Sequence, residues 1–180
     1  MGKPEPVDAL VIGSGPAGLM AAEHLVRAGR QVVIAEAKPS AGRKFLMAGK
    51  SGLNLTKDEP LADCLAAYGD AADWLHPMLA QMGPEAVKRF AEDLGQPIFT
   101  GSSGRVFPTA MKASPLLRAW LRRIGAEMRL GWRWTGLDGG LWRFDTQHGP
   151  RTLAPRVTVL ALGGASWARL GSDGAWAPWL

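Results

Sequence analysis

The chain has 180 residues, of which 47% are hydrophobic and 21% charged, with a formal net charge of +5. That length suits one ordinary domain or two very small ones, and that composition excludes a largely disordered tail. No stretch approaches the roughly 20 apolar residues of a membrane span, and the single cysteine, Cys64, excludes an internal disulfide framework and a cysteine-rich zinc site.

Val7 to Ile12 reads as a short strand, apolar on both faces as parallel strands under helices are. Ala17 to Ala28 reads as a helix, with Leu19, Met20, Ala22, Leu25 and Val26 on an apolar side and Gly29 as its stop. Gln31 to Ala35 is a second buried strand. Together these predict a right-handed βαβ unit. Residues 37–60 are a long, basic, glycine-containing connection, and a connection of that length inside a compact domain is usually functional or mobile. Leu61 to Tyr68, Ala72 to Met82 and Glu85 to Leu94 read as three short helices separated by glycines. Gln96 to Pro108 carries strand and turn signals.

Ser114-Pro115 predicts the start of the next helix, with Ser as cap and Pro at the first helical position. Leu116, Leu117, Trp120, Leu121 and Ile124 share its apolar face, with Arg118, Arg122 and Arg123 opposite. Met128 to Leu137, Leu141 to Thr146 and Arg151 to Leu153 predict a small antiparallel meander, turned at Gly139-Gly140 and His148-Gly149-Pro150. Val157 to Leu162 predicts another buried strand, ending in Gly163-Gly164.

Gly13-Ser14-Gly15-Pro16-Ala17-Gly18 is G-x-G-x-x-G, with a strand before it, a helix after it and a second strand next. Gly13 permits the tight turn, Gly15 lets a pyrophosphate approach the backbone, and Gly18 lets the helix pack on the strands. The pyrophosphate would face the free N–H groups at the helix N-terminus. Glu36, at the end of the second strand, can accept hydrogen bonds from both ribose hydroxyls of an adenosine and would repel a 2′-phosphate. FAD or NAD is therefore expected over NADP. The bland alternative is a tight turn with no ligand and a surface Glu36. The order that follows Glu36, with a basic stretch, helices, a meander and a closing strand, suits FAD better than NAD.

The remaining residues are less specific. Net charge is uneven, at +2 over residues 1–60, −4 over 61–100 and +7 over 101–180. No basic run exceeds Arg122-Arg123, so nucleic-acid binding is not expected. Cys64 reads as a buried structural thiol. His24, His76 and His148 have no spacing that joins them to carboxylates, so no metal site is expected. Trp132 and Trp134 alternate onto one face and read as core or covered surface rather than a base-stacking platform. Arg105 and Lys112 stand open between a site role and solvent duty.

At this point the blocks are recognisable. VIGSGPAGLMAA with Glu36, GRKFLMAGKSGLNLT (Gly42 to Thr56), GSSGRVFP with KAS (Gly101 to Pro108, Lys112 to Ser114) and ALGGASWARLGSDG (Ala161 to Gly174) span nearly the whole chain. In this order and spacing they resemble the N-terminal half of the YhiN/BaiN-like flavoproteins, which include enzymes described as aminoacetone oxidases and bile-acid Δ4,6-reductases. The resemblance implies an α/β, Rossmann-like FAD-binding domain of the two-dinucleotide-fold type. It implies FAD as cofactor, with Glu36 and Ala37 at the adenosine ribose and Arg43 and Lys44 along the adenosine and pyrophosphate. Ser51, Gly52 and Asn54 would approach the flavin side. Trp134 would contact adenine through its backbone, and Gly163 and Gly164 would pass close to the cofactor. Two departures mark a distinct subgroup. Many members carry Gly-Arg-Cys-Asn where this chain has Ser51-Gly52-Leu53-Asn54, and Pro where it has Ala168.

The resulting expectation is an FAD-dependent oxidoreductase of unassigned substrate, with NAD(P)H or dioxygen as electron partner and no catalytic side chain identifiable. Family members run to about twice this length, so residues 1–180 are expected to be the N-terminal part of the FAD-binding domain, without the substrate domain and return segment. The alternative is a non-catalytic dinucleotide-binding module of a larger flavoprotein. No basic leader with an apolar core is present, and a cytoplasmic location without membrane attachment is expected.

Overall fold

A computed structural model describes residues 3–171 and 173–179. The chain divides into two compact units, residues 1–45 with 121–180, and residues 46–120.

In the first unit, β1 (Glu5–Ile12), α1 (Pro16–Arg27) and β2 (Val32–Glu36) form the expected βαβ unit. β1 and β2 are parallel, with Leu10 opposite Val33 and Ile12 opposite Ala35. The sheet has six strands in the order β6-β2-β1-β9-β8-β7. Here β6 is Glu127–Leu130, β7 Arg133–Asp138, β8 Leu141–Asp145 and β9 Arg151–Leu160. The strands β6, β2, β1 and β9 run parallel, and β8 and β7 extend the sheet as an antiparallel meander. This is the Rossmann-like arrangement with a small meander that the strand and glycine pattern implies.

Leu10, Ile12, Val33 and Ala35 pack with Trp134, Phe144 and Leu153 of the meander and β9, and Trp132 and Trp142 lean on the same cluster. The tryptophans at 132 and 134 are thus core and core margin. Buried apolar area of this kind supplies most of the driving force, at about 25 cal/mol per Å².

Three sequence expectations need correction in this unit. Met128 to Leu137 is not one strand. Gly131 takes φ +71° and breaks it, its N–H donating to the Lys38 carbonyl, while the Trp132 N–H donates to that of Glu36. The first piece, β6, therefore joins the parallel side beside β2 and only the second joins the meander. Arg151–Leu153 and Val157–Leu162 are not two strands but one, β9, which pairs antiparallel with β8 at its start and parallel with β1 along its length. Pro155 does not split it, because β8 stops opposite Leu153 and β9 beyond that point has a neighbour on one side only, where a missing N–H is tolerated. For the same reason the far half of β9 is not buried, and Val157 is 41% exposed.

The second unit opens inside α2 (Arg43–Ala48) and closes inside α6 (Ala113–Ile124). Between them lie β3 (Thr56–Lys57), α3 (Leu61–Ala66), α4 (Ala72–Met82), α5 (Pro84–Asp93), β4 (Ile98–Thr100) and β5 (Arg105–Pro108). The 37–60 connection is thus not structureless, since it carries α2 and β3. The three short strands form an antiparallel sheet in the order β3-β5-β4. Leu116, Leu117 and Trp120 of α6 are buried as the apolar face predicts, and Phe90 meets Trp120 edge-on at 5.0 Å. α6 begins at Ala113, so Ser114 lies inside the helix rather than capping it. Cys64 is half-buried on α3, not in the core. No described helix is long and apolar enough to cross a membrane.

Candidate functional site

The glycine turn lies between β1 and α1, and its backbone is fixed by three neighbours. The Gly13 N–H donates to the Ala35 carbonyl at 2.8 Å, the Ala161 N–H donates to that of Ile12 at 2.8 Å, and the Gly42 N–H donates to that of Ser14 at 3.1 Å. Gly13 takes φ +104°, and a Cβ there would stand 2.3 Å from the Ala161 carbonyl oxygen. A Cβ on Gly18 would stand 1.9 Å from the Gly13 carbonyl oxygen. Gly15 differs. Its backbone is ordinary extended chain, φ −72° and ψ 177°, and a Cβ there meets nothing within 4 Å. The open space above Gly15 is the floor of a cleft.

That cleft has a volume of about 700 Å³ and is lined wholly by the first unit. Gly13, Ser14, Gly15, Pro16 and Ala17 line it together with Glu36, Ala37, Arg43 and Lys44. Trp134 and Gly163 line it as well. Gly18 is spent on helix packing and does not line it. Gly164 is exposed and also lies outside the lining. Ser51, Gly52 and Asn54 belong to the second unit, as do Arg105 and Lys112, which are both exposed.

Pro16 opens α1 at its first position, where no N–H is needed, and the N–H groups of Ala17 and Gly18 have no carbonyl to meet within the helix. The first helical bond is Leu19 N–H to the Gly15 carbonyl, at 2.9 Å. The positive end of a 12-residue helix therefore faces the cleft. Arg43 lines the same space. Its guanidinium reaches the Ser40 hydroxyl at 3.4 Å, while its Nε is buried with no partner. Lys44 is held to the Ser166 carbonyl at 3.1 Å. Two cations, a helix N-terminus and an uncrowded glycine make an anion cradle.

Glu36 lines the same cleft. Its Oε2 accepts the Ser14 N–H at 3.0 Å and the Ser14 hydroxyl at 2.5 Å, and its Oε1 accepts the Lys38 N–H at 2.8 Å. Ser14 is fully buried. Sequence reading missed this clamp, since only the fold brings residue 14 to residue 36. It also missed Lys38, Arg133 and Asp173 in the lining, for which no local pattern existed. Trp176 and Trp179 close the rim. The Trp176 indole N–H donates to the Gly163 carbonyl at 3.0 Å, and Trp179 meets Trp134 edge-on at 5.1 Å. Among the described residues no group of three or more His, Cys, Asp or Glu could hold a metal ion.

Residues 7–180 match the family described as the HI0933-like protein Rossmann domain. Several solved structures share the fold. An open-conformation flavocytochrome c3 fumarate reductase superposes with a TM-score of 0.58 at 21% identity, over 91% of this chain and 34% of its own. A 3-ketosteroid-delta4-(5alpha)-dehydrogenase from Rhodococcus jostii RHA1 gives 0.56 at 18% identity, over 89% of this chain and 46% of its own. OxyS anhydrotetracycline hydroxylase from Streptomyces rimosus gives 0.54 at 18% identity, over 91% of this chain and 33% of its own. The chain thus spans between a third and a half of these three proteins.

Proposed function

The chain belongs to the HI0933-like Rossmann-domain family, and from that premise we propose that its first unit binds FAD and serves as the cofactor-binding part of an oxidoreductase. The observation that carries this reading is the open floor at Gly15, facing the α1 N-terminus and the unpartnered Arg43 Nε. A pyrophosphate fills such a space with charge-assisted hydrogen bonds. Glu36 then meets the adenosine ribose, and its charge opposes a 2′-phosphate. Trp134 flanks the adenine. By their names, the structures that share the fold are a reductase, a dehydrogenase and a hydroxylase, which supports redox chemistry for this chain.

When bound, FAD supplies the electron chemistry at its ring. The chain's own residues bind and orient it. Arg43 and Lys44 neutralise the pyrophosphate, and Gly163 lets the backbone run past the cofactor. NAD(P)H is the proposed electron donor, and the proposed compartment is the cytoplasm.

The test is the visible spectrum of the purified chain. FAD uptake gives absorption bands near about 370 and 450 nm. A colourless chain that fails to take up added FAD overturns the binding reading. Uptake of FAD with no oxidation of NAD(P)H keeps that reading and removes NAD(P)H as the donor.

A further inference from the structure

Glu36 is held by its own chain before any ligand arrives. A carboxylate offers about four acceptor positions, two on each oxygen. The Ser14 N–H and the Ser14 hydroxyl take both positions on Oε2, and the Lys38 N–H takes one on Oε1. One position is left, on Oε1. The Ser14 hydroxyl has no other acceptor among the described residues, and Ser14 is fully buried. Turning it away from Glu36 would cost the Ser14 hydroxyl that acceptor, so an entering ribose competes with the clamp for Oε2.

We propose that Ser14 is a specificity-determining residue. By occupying the second position on Oε2, it restricts Glu36 to reading one ribose hydroxyl, through Oε1. This inference rests on the reading of the cleft as an FAD site. It narrows the expectation that Glu36 accepts both hydroxyls, which would require one free position on each oxygen.

The test is calorimetric titration of the chain with ADP, 2′-deoxy-ADP and 3′-deoxy-ADP, repeated with Ser14→Ala. A hydrogen bond to a charged group changes affinity by about tenfold or more. In the wild-type chain one deoxy analogue should bind about tenfold more weakly than ADP, and the other should bind within about threefold of it. In Ser14→Ala the freed Oε2 accepts the second hydroxyl, so both analogues should bind about tenfold more weakly than ADP. This split in analogue ratios is a readout that a merely structural role for Ser14 would not move. Equal losses for both analogues in the wild-type chain, no loss for either, or an unchanged one-hydroxyl pattern in Ser14→Ala would overturn the proposal. If the variant does not fold, the wild-type pattern alone decides. A wild-type chain that binds neither ADP nor FAD overturns the proposed function and this inference together, whereas normal FAD binding with equal analogue losses removes this inference alone.

Discussion

Gly15 and Gly18 lie three residues apart, yet a side chain would do opposite things at each. At Gly18 a Cβ collides with the Gly13 carbonyl at 1.9 Å, whereas at Gly15 it enters open space on a backbone any residue can adopt. Gly15→Val should therefore fold with stability within about 0.5 kcal/mol of wild type, yet bind FAD at least about tenfold more weakly. Gly18→Ala should lose about 1–3 kcal/mol through overpacking. Urea melts and flavin titrations of the two variants read this contrast, and equal loss of FAD binding without a stability difference would contradict it. The G-x-G-x-x-G spacing made these roles legible, because each glycine answers a steric demand set by the strand–turn–helix path. The Ser14–Glu36 clamp was not legible. The two residues are 22 apart, and their meeting depends on β1 and β2 lying side by side.

Between β6 and β7 a single residue decides which side of the sheet each strand joins. Gly131 holds φ +71° and lends its N–H to the Lys38 carbonyl. A β-branched residue there is strained, so Gly131→Val should cost about 1–3 kcal/mol in a urea melt. At the far edge Arg129 of β6 reaches across to Glu5 of β1 at 2.6 Å and lies over the Trp132 ring at 4.8 Å. The hydrogen bond from Arg129 holds the Glu5 carboxyl below its usual range, against a smaller opposing effect of burial. A depressed folded-state value means that the stabilisation is present above the unfolded value of about 4.3 and lost as pH falls through the folded one. The Glu5 side chain is about half exposed although Arg129 is mostly covered, so solvent screening at Glu5 limits the expected cost of Glu5→Gln to about 0.5–1 kcal/mol at pH 7. That gap should begin to shrink as the pH falls below the unfolded value of about 4.3 and vanish below the depressed folded one, where wild-type Glu5 is protonated too, and a gap that does not shrink in acid would remove the ion pair as its cause. Strand existence was readable from the runs of Val, Ile and Leu. The partners of β6 and β9 were not, since both the break at Gly131 and the continuity of β9 through Pro155 depend on which neighbours stop where.

Ligand binding to the first unit should register in the stability of that unit. FAD at one hundred times its dissociation constant should raise unfolding free energy by roughly 2.7 kcal/mol, and NADP should raise it far less, since Glu36 faces a 2′-phosphate with like charge. Thermal melts with each nucleotide check this, and equal stabilisation by NADP would remove Glu36 as the selective group. Across the molecule, the sequence by itself determined the βαβ opening, the glycine turn between β1 and α1, the acidic residue at the end of β2, the helical run at 61–94 and the meander. Those features are local, written in periodicity, glycine placement and turn chemistry within some thirty residues. Only the tertiary structure decided that residues 46–120 form their own compact unit, that β6 and β9 flank the opening pair, and that Ser14 already occupies part of the Glu36 carboxylate. Each of those depends on contacts between residues far apart in the chain, where packing and hydrogen-bond satisfaction outweigh any local preference.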